Sequence, residues 1–132
     1  MSTPPLTPAV SAAGWIAVSG QIGVDADGEL GRDIGAQTRL ALANLENRLH
    51  SHDAQLAHVV KVNVFLTSMD DYEPMNAVYA EFFPDDPPAR TCVAVVALPR
   101  GPASRSRRGR PPSLRANRAR AGGPFRRAWR CR

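Results

Sequence analysis

Apolar positions in the first hundred residues alternate between two periods, and each change of period marks a new element. Ala9-Val10-Ser11 and Trp15-Ile16-Ala17-Val18-Ser19 flank Ala12-Ala13-Gly14, a pattern that predicts two strands around a glycine-containing turn. Gly20 to Val24 continues extended, and Asp25-Ala26-Asp27-Gly28 predicts a turn in which Gly28 supplies φ > 0. Asp33 is placed to cap a helix running to about His50. Behind it Ile34, Thr38, Ala41, Leu42, Leu45 and Leu49 fall on one face, while Arg39, Asn44, Asn47 and Arg48 fall on the other.

The second half repeats the scheme. Val59 to Leu66 is rich in β-branched residues with polar positions only at 61 and 63, which predicts a strand buried on both sides. Asp70 and Glu73 have capping-box spacing, and Pro74 falls in the first turn of the helix that follows. Met75, Val78, Tyr79, Phe82 and Phe83 make its apolar stripe, which Pro84 closes. Pro87-Pro88-Ala89 leads into a third main strand, Arg90 to Leu98. The order hairpin–helix–strand–helix–strand predicts an α+β domain, with two helices packed on one face of a sheet. That sheet lacks a last strand: another is expected after Pro99-Arg100-Gly101 to cover the open edge, and no apolar pattern follows.

Charge sharpens this border. Residues 1–99 carry five Lys/Arg against twelve Asp/Glu, a net charge of −7, whereas residues 100–132 carry twelve Arg and no acid. About a hundred residues suit one small domain, and a domain of that size buries only roughly 60–70% of its unfolded surface, so association would help it. No apolar run is long enough for a membrane span, and Met1-Ser2-Thr3-Pro4-Pro5 has no basic or apolar leader region. Cys92 and Cys131 do not make a disulfide framework. A cytoplasmic protein is expected.

Three segments together resemble the RidA (YjgF) family of reactive-intermediate deaminases: Val18-Ser19-Gly20-Gln21-Ile22, Met75 to Phe83, and Pro88-Ala89-Arg90-Thr91-Cys92-Val93. Ala97-Leu98-Pro99-Arg100-Gly101 is similar to the turn before the family's last strand. The likeness covers roughly residues 5–101. It implies a chorismate-mutase-like fold, a homotrimer with clefts between neighbouring subunits, no cofactor or metal, and hydrolysis of 2-imino acids to 2-keto acids and ammonia. A 2-imino acid presents a carboxylate beside an electrophilic C=N carbon. Arg90 resembles the family's carboxylate-binding arginine, whose fork suits a carboxylate bidentately. Cys92 matches a cysteine that lines the site, where its backbone helps hold substrate. Asn76 and Ser19 match polar positions at the cleft.

Read without the resemblance, each residue has a plainer role. Arg90 at a strand start is a solvated charge, Cys92 a small core residue, Asn76 a helix-surface amide and Ser19 a strand-end hydroxyl. Two departures bear on activity. Leu6 stands where strongly active members carry a tyrosine, and no Asp or Glu follows Asp86, whereas a glutamate of the family's last strand is thought to activate the water. Full turnover is therefore not expected. A trimer that binds keto or imino acids without hydrolysing them, and a protein that binds or cleaves RNA, are the alternatives.

The stretch 102–132, set apart from the 1–101 domain, is built mainly of Arg, Pro, Ala, Gly and Ser and cannot form a core. It reads as a basic arm with weak polyanion binding, as a disordered extension, or as the product of a shifted reading frame. Ser104-Arg105-Ser106-Arg107-Arg108 written TCG-AGA-TCG-AGG-CGG contains, one base over, GAG-ATC-GAG-GCG. That encodes Glu-Ile-Glu-Ala, the missing strand, which favours the third reading. His50, His52 and His58 sit at a helix end and loop, and Asp70-Asp71 and Asp85-Asp86 at a cap and a turn, so solvated and capping roles suffice for them.

Overall fold

A computed structural model describes residues 4–99, 113–116 and 119–120. Strands β1 (Ala9–Ala12) and β2 (Trp15–Val18) pair antiparallel, with Ala12 opposite Trp15. The two residues between them, Ala13 and Gly14, both have positive φ, 50° and 76°, the geometry whose twist matches a two-residue hairpin. A short β3 (Gln21–Ile22) follows. The Asp25 turn forms as expected: its Oδ1 accepts from Asp27 N and Glu29 N, both at 2.9 Å, and Gly28 has φ 82°.

Helix α1 (Ile34–His50) is capped by Asp33, whose Oδ1 accepts from Ala36 N at 2.8 Å. Its predicted apolar face is the buried one: Thr38, Ala41, Leu42, Leu45 and Leu49 lose nearly all exposure. Thr38 is tolerated there because its hydroxyl donates to Ile34 O, one turn back. Asn44 departs from the expected outward face. It is half-buried, and its amide donates to Ile22 O at 3.2 Å and Val24 O at 2.9 Å, tying α1 to β3. Gly23 allows this close approach, since a Cβ there would lie 2.3 Å from Gln37 O.

Strand β4 (Lys61–Leu66) alternates where burial on both sides was expected. Val62, Val64 and Leu66 are fully buried in the core with α1, whereas Lys61, Asn63 and Phe65 are half-buried on the other face. The expected Asp70/Glu73 capping box does not form. Residues 69–71 make a 3-10 turn capped by Ser68, whose hydroxyl accepts from Asp70 N at 3.2 Å. Helix α2 (Tyr72–Phe82) therefore has Asp71 as its N-cap, one residue later than expected, with no side-chain cap bond. Strand β5 (Ala89–Ala94) runs parallel to β4 and stops with it, Leu66 opposite Ala94, short of the expected Leu98. Met75, Tyr79 and Phe83 of the α2 stripe join the core, and α1 packs on α2.

The expectation of a missing strand is corrected. Ser113–Ala116 forms β6, antiparallel to both β3 and β4, so the second sheet has the order β3-β6-β4-β5. Ala119–Arg120 forms β7 on β2, giving the first sheet the order β1-β2-β7. The physical reason is that a strand edge is satisfied by backbone groups, so a short segment without proline can complete a ladder that its own side-chain pattern does not announce. Ser104 to Arg108, where a shifted frame would put the strand, lies outside the described residues. No helix among the described residues is long and apolar enough to cross a membrane.

Candidate functional site

Arg90 and Cys92 follow one another on the same side of β5, in register with the buried row Val62 and Val64 of β4. This turns Arg90 toward α2, where three side chains one helical turn apart meet it. Nη1 donates to Asn76 Oδ1 at 2.7 Å, and Nη2 donates to the Tyr72 hydroxyl at 3.2 Å. The guanidinium carbon also lies 4.8 Å from the Tyr79 ring centroid and 5.6 Å from that of Tyr72. All these partners are neutral. Among the described residues no carboxylate pairs with Arg90, in contrast to Arg39, which bonds Glu81 at 2.6 Å and links α1 to α2.

The guanidinium stands at the wall of a cleft of about 410 Å³ lined by Asn76, Tyr79, Ala80, Phe83, Pro88 and Arg90. The volume falls within the range of small-molecule sites, roughly 300–1,000 Å³. Its wall is apolar apart from Asn76 and Arg90. A half-buried cation with neutral partners is an incomplete charge arrangement, and a carboxylate completes it with charge-assisted hydrogen bonds. Two of the five guanidinium N–H groups are taken by Asn76 and Tyr72, leaving three for a ligand.

Cys92 is half-buried, and burial pushes its thiol up from the ordinary value while the nearby Arg90 charge pulls it down less strongly. At neutral pH it is a thiol and not a thiolate nucleophile. Ser19 is elsewhere. Its hydroxyl donates to Thr7 O at 2.6 Å and its amide to Pro8 O at 2.9 Å, which hold the N-terminal arm on β2. It lines a second groove of about 330 Å³ with Leu6, Thr7, Val10, Val18 and Gly20. Within one chain, then, Arg90 and Asn76 meet at the cleft, Cys92 follows Arg90 along β5 outside the cleft lining, and Ser19 lies at the other groove.

Tyr72 and Tyr79 also meet Arg90, which their local sequence does not announce. The spacing Tyr72, Asn76, Tyr79 does put the three on one helix face. Tyr79 also belongs to the apolar stripe, which hides that signal. The histidines have local roles, as expected: His58 Nδ1 accepts from Gln55 N at 3.1 Å, and His52 Nδ1 lies 3.2 Å from Arg48 O. Among the described residues no group of three His, Cys, Asp or Glu side chains could hold a metal.

Comparison with known proteins gives a consistent picture. The family profile of endoribonuclease L-PSP matches residues 1–103. The mitochondrial protein mmf1 of Schizosaccharomyces pombe is 44% identical over 98 residues, which cover 74% of this chain and 60% of that one. The chain thus spans 60% of the length of that relative. The crystal structure of RidA from an Antarctic Psychrobacter matches with a TM-score of 0.76 at 27% identity, covering 91% of both chains. Escherichia coli TdcF, crystallised with bound serine, matches with a TM-score of 0.76 at 27% identity over 90% of each chain.

Proposed function

The chain belongs to the endoribonuclease L-PSP (RidA/YjgF) family, and from that footing we propose that its Arg90 cleft binds small 2-imino and 2-keto acids, as a RidA-type deaminase site with weak turnover. The observation that carries this reading is the Arg90 guanidinium, held by neutral partners at a small apolar cleft and paired with no carboxylate among the described residues. TdcF binds serine, a ligand with the same α-carboxylate. In the reaction, water adds to the C=N carbon and the resulting tetrahedral carbinolamine expels ammonia, leaving the 2-keto acid. Arg90 anchors the carboxylate beside the reacting carbon, and Asn76 and the Cys92 backbone border it.

None of the described residues lining the cleft is an acid or a histidine, so none of them is a positioned base for the attacking water. This favours a second reading, a site that binds keto or imino acids without hydrolysing them. For cleavage of RNA, the activity that gives the family its description, the histidines offer no support, since His50, His52 and His58 lie away from the Arg90 cleft. We extend the proposal to a homotrimer, in which the groove bearing Ser19 and Leu6 faces the Arg90 cleft of a neighbour. Native mass measurement of a monomer would remove that extension.

Thermal stabilisation by 2-oxobutanoate and its release from 2-iminobutanoate test the reading together. Stabilisation lost in Arg90→Ala, with slow turnover, is the expected result. Stabilisation without any turnover selects the binding-only reading, and turnover equal to that of an active relative refutes the impairment. No stabilisation of the native chain overturns the anion site.

A further inference from the structure

Arg90 is held in more ways than its charge requires. The two hydrogen bonds, from Nη1 to Asn76 and from Nη2 to Tyr72, fix one edge of the guanidinium. They leave its plane free to tilt about the line joining those two nitrogens. The Tyr79 ring removes that freedom, because it lies under the guanidinium carbon at 4.8 Å, the closer of the two ring contacts. The seat is itself packed into the core. Tyr79 is only 6% exposed, and Phe83 backs it with ring centroids 4.8 Å apart at 37°.

The Tyr79 hydroxyl adds a second observation. It is buried and has no hydrogen-bond partner among the described residues. A buried hydroxyl left unpaired destabilises a fold, so the hydroxyl does not explain why an aromatic ring stands here. Burial also pushes this phenol up to about 12, against the opposing pull of Arg90. The ring therefore stays neutral, and it offers Arg90 an electron-rich face without becoming a counter-ion that would quench the anion site.

We infer that Tyr79 is a positioning residue of the anion site: its ring face sets the tilt of the Arg90 guanidinium, so that the N–H groups not bonded to Asn76 and Tyr72 are presented to a carboxylate in the cleft. The inference rests on the reading of Arg90 as the anchor, and Tyr79 acts through Arg90.

Three replacements at position 79 test it: Tyr79→Phe, Tyr79→Leu, and pentafluorophenylalanine, which keeps the ring shape while draining its face. Met75→Ala serves as a packing control, since Met75 is fully buried on α2. Two readouts apply, the NMR resonances of the Arg90 guanidinium in the ligand-free protein and the affinity for 2-oxobutanoate by calorimetry. Tyr79→Phe is expected to keep the Arg90 resonances, hold affinity within about twofold, and raise Tm because the unpaired hydroxyl is gone. Tyr79→Leu and the fluorinated ring are expected to shift the Arg90 resonances and weaken binding by about tenfold. Met75→Ala should lower Tm and move neither readout. Unchanged Arg90 resonances with the fluorinated ring would overturn the inference, and so would a loss of affinity in Met75→Ala equal to that in Tyr79→Leu. If the native chain does not bind 2-oxobutanoate, the anchor reading fails, while the ligand-free resonances still decide whether the ring positions Arg90.

Discussion

Two of the grooves among the described residues are built on opposite terms. At the α2–β5 corner Arg90 meets neutral partners and keeps donors unspent on an apolar cleft. At the β2 rim Ser19 spends its hydroxyl on Thr7 O, and Leu6 supplies an apolar wall. A residue matched to a functional position by type is thus open to a ligand only where the fold leaves its bonding capacity free. Arg90 satisfies that condition and Ser19 is occupied by its own chain.

The largest expected effect tests the scaffold behind the rim. Gly23→Ala would drive a Cβ to 2.3 Å from Gln37 O, 2.5 Å from Gln37 Cα and 2.7 Å from Gln37 C, all backbone atoms. Such a clash should cost about 3 kcal/mol or more. Denaturant unfolding checks it, and a loss below about 1 kcal/mol would mean that β3 and α1 are not locked together as the structure has them. At the corner, Arg90→Ala should reduce 2-oxobutanoate affinity by about a hundredfold, with Arg90→Lys recovering only part because the fork is lost. Ser19→Ala should change affinity by less than about threefold, the scale of one modest hydrogen bond. Equal losses from Arg90→Ala and Ser19→Ala would erase the contrast between the grooves.

Asn76→Asp sharpens the same contrast. It places a carboxylate at 2.7 Å from Nη1 and gives Arg90 an internal counter-ion. Calorimetry should show ligand affinity falling by about tenfold, and Tm should not fall, because the charge is then paired within the chain. Retained affinity would show that Arg90 is not the anchor.

The smallest effect concerns pH. The Tyr79 phenol is raised by burial from 10.0 to about 12, so the folded state holds this proton more tightly than the unfolded chain does. Its contribution is complete below pH 10 and is lost as pH rises toward 12. Native protein should lose stability across that window more steeply than Tyr79→Phe, and parallel curves would show that the phenol is solvated.

Legibility along the sequence followed the range of the interactions. Asp33, Gly28 and the face Ala41, Leu42, Leu45 and Leu49 were readable because a cap, a turn and a helical stripe depend on neighbours within a few residues. The capping box at Asp70 does not form because Ser68 offers a competing cap two residues earlier, and local pattern does not rank two such candidates. Periodicity puts Asn44 on the solvent face, whereas Ile22 of β3 and Val24 just beyond it present carbonyl groups to it from 22 and 20 residues away. Ser113–Ala116 carried no strand pattern, because its place between β3 and β4 comes from open backbone edges elsewhere in the chain.

The sequence by itself determined the α+β order, the apolar faces of both helices and the presence of Arg90, Asn76 and Cys92 in segments that carry the family's likeness. Those features live in local periodicity and residue identity. The tertiary structure decided which of the matched residues share a cleft, because Arg90 lies 14 residues from Asn76 and 18 from Tyr72 and meets them only once β5 pairs with β4 beneath α2. It also gave Tyr79 its double position, at once in the core and under a cation, which periodicity records only as one more buried aromatic.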